Sequence, residues 1–345
     1  MIIIGCDFHP SFQQIAWVDK ETGECGECRL QHVNGEAASF YDSLQGKKVC
    51  LGIEATGGMR WFRRLMAASG FDLRIGDPAR IRAAMTRKQK TDKRDAEHIL
   101  QLLLEDRFPA IWVLGVEEED RRALVLHRGR MIRMRSRVKN QLDGMAKSEN
   151  LGVKPSTQKG RKQLEAASLT GWDAHRRQEL YELLDDLDER IEPLDQAVAQ
   201  EAEARPEVHR LMTHPGVGPV VALAFVLAIG DWRRFARGKN VATYLGLIPS
   251  EESSGQKRRL GRITKQGNSL VRWLLVQAAA KAQQKDPAWH RQYVRLSMNK
   301  HHGVAKVAIA RKLAVRLYWM LRSGQNYEQV KERGSHAGSP ISPVV

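Results

Sequence analysis

Two aspartates, Asp92 and Asp95, interrupt a basic stretch that carries Arg82, Arg87, Lys88 and Lys90. On a helix, residues three apart share a face, so both carboxylates can reach one point in space. Two converging like charges repel unless something positive lies between them. A solvated helix with local ion pairs, Lys88 with Asp92 among them, would explain the pattern and contribute little. Half of a metal site would explain it equally, but needs more carboxylates. The chain offers two: the apolar run "MIIIGCDFHP" contains Asp7 at its end, and "KKVCLGIEATGG" closes its apolar run with Glu54. Singly, each reads as a turn, a cap or an exposed strand terminus. Together, four carboxylates from three segments form the oxygen-rich set that Mg²⁺ takes and shares with substrate phosphates. Burying carboxylates at strand ends without a cation would be costly.

The pattern around these residues supplies the elements to position them. "FQQIAWVD" and "ECRLQHV" flank the turn signal "KETG" as in a hairpin. "EAASFYDSLQG" has helical composition and stops at Gly46; after Glu54 come the helix "MRWFRRLMAASG" and the strand "FDLRIG". This order describes an α/β unit with a mixed sheet and helices on its faces, and strand ends in such sheets are where ligands bind. Cys6, Cys25, Cys28 and Cys50 fall in the same region. A single CxxC without a second pair does not make a zinc finger, and the four read as small core or strand residues in a reducing compartment.

Further along, Leu124, Met131, Met134, Val138, Leu142 and Met145 fit one helix face, while Arg128, Arg130, Arg133, Arg135, Arg137 and Lys139 crowd the remainder. A face that is nearly all arginine repels itself and suits a phosphate backbone. After the loop "SENLGVKPSTQKGRKQ", Leu180, Leu184, Leu187, Ile191, Leu194 and Val198 alternate steps of four and three, a coiled-coil seam with an acidic outer face. Pro193 inside it is expected to kink the helix or interrupt its ladder.

In "HPGVGPVVALAFVLAIGDWRRF", Gly216 and Gly218 form a tight turn before an apolar helix. It reads as a helix-hairpin-helix whose backbone approaches a phosphate, or as a plain interhelical turn. Next, Ser253 and Ser254 precede Gly255, with Lys257, Arg258, Arg259, Arg262, Lys265 and Arg272 close behind. A serine needs a base, a metal or a neutralised phosphate before it can attack, and these cations could neutralise one. The tail "KERGSHAGSPISPVV" is small and polar and is expected to be disordered.

Lysine plus arginine number 56 against 40 acidic residues, a formal net charge of +16. Such a surplus implies a polyanionic partner, for which nucleic acid is the usual answer. No apolar run is long enough to span a bilayer and the first residues lack a basic leader, so a cytosolic, nucleoid-associated protein is expected.

The D-x-x-x element at Asp7, "GIEATGG" and "KTDKRDA", followed by PGVGP, IGDWRRF, YLGLIPS, SSG and GRITKQGN, resemble the DEDD transposases. That group includes the Piv-like invertases and the bridge-RNA-guided recombinases of one insertion-sequence family. The resemblance covers most of residues 1 to 325. It implies an RNase H-like (RuvC-like) domain at 1–118, a basic helix and coiled-coil region at 119–205, a mainly α-helical transposase domain at 206–328 and a tail at 329–345. It further implies Asp7, Glu54, Asp92 and Asp95 as the acidic tetrad holding Mg²⁺, and Ser254, with Ser253 as the adjacent alternative, as the nucleophile. Its partners would be donor and target DNA, a structured guide RNA, and further copies of the chain in a dimer that pairs into a tetramer. Arg87, Lys88, Lys90, Arg130, Arg133, Arg137, Gly216, Gly218 and the cations after Ser254 are the expected nucleic-acid contacts. Three rivals remain: a RuvC-like nuclease that uses water, a non-catalytic scaffold, and a sugar-kinase-like enzyme, the last disfavoured by charge and by the missing phosphate loops.

Overall fold

The computed structural model describes residues 1–85, 91–252 and 259–332. The chain divides into two compact units, Met1–Glu117 and Glu118 onward.

The first unit is built on a five-stranded sheet. Its strands are β1 (Ile2–Phe8), β2 (Phe12–Asp19), β3 (Cys25–Gln31), β4 (Val49–Glu54) and β5 (Asp72–Gly76), in the order β3-β2-β1-β4-β5. The hairpin signal gives antiparallel pairing from β1 to β3, whereas β4 and β5 return parallel. Parallel return needs crossovers, and α1 (Glu36–Asp42) and α2 (Arg60–Ala68) supply them. Helices α3 (Pro78–Ala84) and α4 (Asp92–Leu104) follow. One sheet face buries Ile2, Ile4, Cys6, Leu51 and Ile53 with Tyr41, Phe62 and Met66. The opposite face packs Ile3 and Cys50 against Ile99, Leu102 and Leu103 of α4. Cys6 and Cys50 are thus core residues, while Cys25 lies exposed and Cys28 half-buried on β3.

The second unit is mostly helical. Helix α5 (Val116–Ser148) leads through α6 (Gln158–Glu165) to α7 (Gly171–Glu203). Then come α8 (Pro206–Met212), α9 (Pro219–Ile229), α10 (Gly238–Tyr244), a short hairpin of β6 (Pro249–Glu251) and β7 (Leu260–Ile263), α11 (Ser269–Lys285), α12 (Pro287–Ser297), α13 (His302–Ser323) and α14 (Tyr327–Glu332). The apolar α9 and the inner faces of α11 and α13 form the main core, with Phe225, Leu275, Leu313 and Tyr318 fully enclosed.

One expectation needs revision here. Met134 is 46 % exposed rather than buried. The buried face of α5 instead runs through Val125, Gly129 and Ile132 before joining Val138, Leu142 and Met145. The reason is Gly129, where an added Cβ would sit 2.8 Å from the Leu270 Cδ1 of α11. A glycine has no hydrophobic signature, so a count of apolar residues misses the closest approach. Pro193 lies inside α7, which continues as one helix from Gly171 to Glu203. Leu187, Ile191 and Val198 are buried on both sides of it, and their packing offsets the one hydrogen bond that proline removes. Among the described residues, no helix is long and apolar enough to cross a membrane.

Candidate functional site

Alternation along the strands places the first two carboxylates. Gly5 of β1 and Gly52 of β4 pair directly, and both face α4. A Cβ at Gly5 would overlap the Ala96 carbonyl and the Leu100 amide, and one at Gly52 would lie 2.8 Å from Leu103 Cδ1. These two glycines therefore form the trough in which the helix lies. Side chains two residues on point to the same face, so Asp7 and Glu54 emerge on the α4 side. They stand one residue beyond Cys6 and Ile53, the last positions paired between β1 and β4.

Helix α4 runs antiparallel to β1, with Leu100 over Gly5 and Asp92 beside the strand's end. Thr91 caps it by accepting from the Arg94 amide, and Asp92 and Asp95 occupy its first turn. Carboxylates are favoured there because unpaired N–H groups and the helix dipole offset their charge. The same placement that suits the helix also carries the two aspartates to the strand ends. Asp95 turns its Oδ1 into the interior.

Among the described residues, Asp7, His9 and Asp92 form a cluster, each offering a ligand atom within 4.8 Å of the others. His9 Nε2 lies 3.0 Å from Asp7 Oδ2 and 3.7 Å from Asp92 Oδ1. Asp7 is the more sheltered carboxylate, 18 % exposed against 45 % for Asp92. The imidazole is held by a stack: it lies on Phe12 with centroids 4.5 Å apart, and Arg29 covers the Phe12 ring at 3.6 Å. Two carboxylates and an imidazole at this spacing suit a divalent cation. Glu54 and Asp95 are not among the residues whose ligand atoms meet at this spacing. Sequence reasoning passed over His9. Its signal was the Asp-x-His spacing, which in extended chain puts two side chains on one face.

The expected nucleic-acid contacts divide. Arg130, Arg133 and Arg137 are exposed along one stripe of α5. Other arginines of that helix are engaged by α7: Arg121 with Glu201 at 2.9 Å, Arg128 with Asp195, and Arg135 with Asp188 at 2.7 Å. Gly216, at φ +83°, is pressed against the α11 backbone, where a Cβ would lie 2.5 Å from the Ala282 amide nitrogen. Gly218 caps α9 with nothing near the position of a Cβ. Arg272 donates from Nη1 to the carbonyls of Leu245, Gln266 and Gly267, tying down the loop that carries Lys265. Arg259 and Arg262 are exposed. Ser253, Ser254, Lys257 and Arg258 lie outside the described residues, as do Arg87, Lys88 and Lys90. In sequence, 253–258 joins β6 to β7, and the Glu252 amide donates to the Arg259 carbonyl on its two sides.

Comparison with known proteins bears on both units. A transposase family model of the DEDD, IS110 type matches residues 4–149, and the model of the transposase IS116/IS110/IS902 family matches residues 208–295. A "Probable family 20 transposase" of Pseudomonas aeruginosa is 27 % identical over 93 % of this chain and 96 % of its own length. The "Transposase for insertion sequence element IS1111A" of Coxiella burnetii is 26 % identical over 80 % of this chain and 76 % of its own. The corresponding protein of IS1328 from Yersinia enterocolitica is 26 % identical over 78 % and 82 %.

A mixed α/β unit with acids at its strand ends, followed by a helical unit, is here the architecture of a DNA transposase. The chain belongs to the DEDD transposase family of the IS110/IS116/IS902 insertion elements.

Proposed function

We propose that this transposase is a site-specific recombinase that cuts and rejoins DNA through a covalent phosphoserine intermediate, at sites selected by a structured guide RNA. The observation that carries the reading is the convergence of Asp7, His9 and Asp92 within 4.8 Å at the end of β1. In this reading the first unit is RNase H-like, of the RuvC kind, and Asp7, Glu54, Asp92 and Asp95 are its acidic tetrad. The donor set fits a hard divalent cation: Asp7 and Asp92 would hold it, Glu54 and Asp95 stand beside them, and His9 fixes the Asp7 carboxylate. Mg²⁺ bound there would polarise the oxygens of the scissile phosphate.

Ser254 is the proposed nucleophile. Its Oγ forms a bond to phosphorus while the bond to the leaving strand's oxygen breaks, and the serine proton passes to that oxygen. The phosphoserine ester conserves the bond for rejoining, when the incoming strand's hydroxyl displaces the serine. Lys257, Arg258, Arg259, Arg262 and Lys265 would neutralise the phosphate under attack. The family resemblance and the run of cations around the serine support this role. Gly216 and Gly218 would belong to a helix-hairpin-helix against a phosphate, and α5 and α7 to a coiled coil through which dimers pair into a tetramer on donor and target DNA. The resemblance supports both.

The test is recovery of a covalent adduct. Purified protein, its co-purifying RNA and Mg²⁺ are incubated with DNA spanning an insertion-element end, and the attached residue is mapped by mass spectrometry. The adduct is expected on Ser254 and absent from both Ser254→Ala and Asp7→Asn. Continued strand cutting by Ser254→Ala, without an adduct, would establish the water-using nuclease instead.

A further inference from the structure

Helices α12 and α13 carry a charge pattern that the proposed mechanism does not use. From Pro287 to Tyr327 the chain has eight lysines and arginines and no aspartate or glutamate. The pair is joined by only four residues, Met298 to His301, so its cations are concentrated on one compact hairpin. Between the helices lies a cavity of about 380 Å³, lined by Gln292, Arg295, Leu296, Asn299, Lys300 and Lys312. Three of those residues are cationic, two are carboxamides, and none is acidic. That volume equals roughly a dozen water molecules, room for more than a bare ion.

The cavity is built rather than accidental. Lys312 Nζ of α13 donates to Gln292 Oε1 of α12 at 2.9 Å, which aims the ammonium across the groove. Burial and the neighbouring Arg295 both depress the Lys312 pKa, the expected result of gathering cations without a counter-charge. Arg295 and Lys300 make no ion pair with any described residue. The base of α12 is fixed independently: Asp286 caps it, accepting from the Ala288 amide at 2.7 Å and the Trp289 amide at 3.3 Å. Asp286 is in turn held by the Tyr327 hydroxyl at 2.7 Å. Holding like charges together is unfavourable in the free protein and becomes favourable when an anion enters.

We propose that the groove between α12 and α13 binds the phosphodiester backbone of a nucleic acid, with Arg295, Lys300 and Lys312 as its cations and Gln292 and Asn299 as neutral donors. Arg supplies a planar fork and Lys a point charge, and both release condensed counterions when they engage phosphate. The groove belongs to the second unit and does not depend on the chemistry assigned to the acidic cluster of the first. It falls at the end of the matched family region and beyond it, since that match stops at residue 295.

The experiment uses the full chain and measures affinity against salt concentration for two probes, a DNA duplex and a structured RNA. The Arg295→Gln/Lys300→Gln/Lys312→Gln variant is compared with Lys159→Gln/Lys162→Gln/Arg176→Gln, which removes the same charge from exposed positions on α6 and α7. A third variant, Lys300→Arg/Lys312→Arg, keeps the charge and reports on folding. The groove variant is expected to lose about tenfold or more in affinity near physiological salt and to lower the log–log salt slope by about 2 to 3. The α6–α7 variant should do neither. Loss for DNA alone assigns the groove to DNA, loss for RNA alone assigns it to RNA, and either supports the proposal. Equal losses in both glutamine variants, or an unchanged slope in the groove variant with normal thermal unfolding, would overturn it.

Discussion

Two helical pairs in the second unit deal with positive charge in opposite ways. In α5 and α7, Arg121, Arg128 and Arg135 recur every seven residues, and Glu201, Asp195 and Asp188 descend in step on the antiparallel partner. Each cation is answered across the seam. Across α12, α13 and their connection, eight cations face no carboxylate of their own segment. An arginine count is therefore no footprint of nucleic acid. What separates a structural cation from a binding one is whether the facing element brings an acid to the same level. α5 contains both paired and exposed arginines, since Arg130, Arg133 and Arg137 lie exposed a few residues from the paired set.

The largest expected effect concerns the foundation of the second pair. His214 is 1 % exposed, 5.1 Å from the Trp289 ring and 4.4 Å from the Tyr327 ring. Its Nδ1 lies 2.9 Å from the Pro215 carbonyl. Burial brings its pKa down to about 4 and the Arg316 charge acts the same way, while the Pro215 carbonyl and Asp286 oppose. The unfolded chain takes up this proton near pH 6.5, the folded chain only near 4. Between those values the unfolded state binds more protons, so stability falls as the pH is lowered through the window. The full loss is about 3 kcal/mol. Denaturant unfolding at pH 7 and pH 4.5 should show it, and His214→Phe, which retains the aromatic contacts, should remove most of the difference. An equal pH slope in that variant would detach the anchoring of α12 from His214.

A smaller effect is expected in the first pair. Arg128 is 15 % exposed and its partner Asp195 40 %. Arg128→Ala should cost roughly 1–2 kcal/mol, above the usual surface ion pair because one member is sheltered. A double-mutant cycle with Asp195→Ala isolates the coupling. Coupling near zero would mean that the apolar contacts of Leu142, Leu180 and Leu184 hold α5 to α7 by themselves.

Why some of this was legible in the sequence and some not follows from the range of the interactions. The strands ending at Asp7 and Glu54 and the helix opening at Asp92 are local features, set by alternation, capping and turn residues within ten positions, and they lie in the structure where the pattern put them. His9 enters the cluster because Gly5 and Gly52 admit α4 to the sheet, a contact between segments about ninety residues apart in sequence. The glycine pair was visible as letters, but its meaning depended on the register of β1 against β4. The sorting of the α5 arginines was hidden for the same reason: the acids that claim three of them lie more than fifty residues downstream. A seven-residue comparison of both helices would have exposed it.

The smallest effect on stability, and the sharpest on binding, is expected from the exposed stripe of α5. Arg130, Arg133 and Arg137 have no ion pair with any described residue, and their spacing of three and four keeps them on one face. Replacing all three by Gln should leave stability within about 0.5 kcal/mol of the original, because exposed positions without partners contribute little. If the stripe tracks a phosphate backbone, the same variant lowers the salt slope of nucleic-acid binding by up to about 3. Replacing Arg121, Arg128 and Arg135 should invert the pattern, lowering the unfolding temperature while leaving the salt slope nearly unchanged. Both triples remove the same charge from the same helix, so net electrostatics cannot account for opposite outcomes. Matching outcomes would mean that the acids of α7 do not set the division between the two groups of arginines.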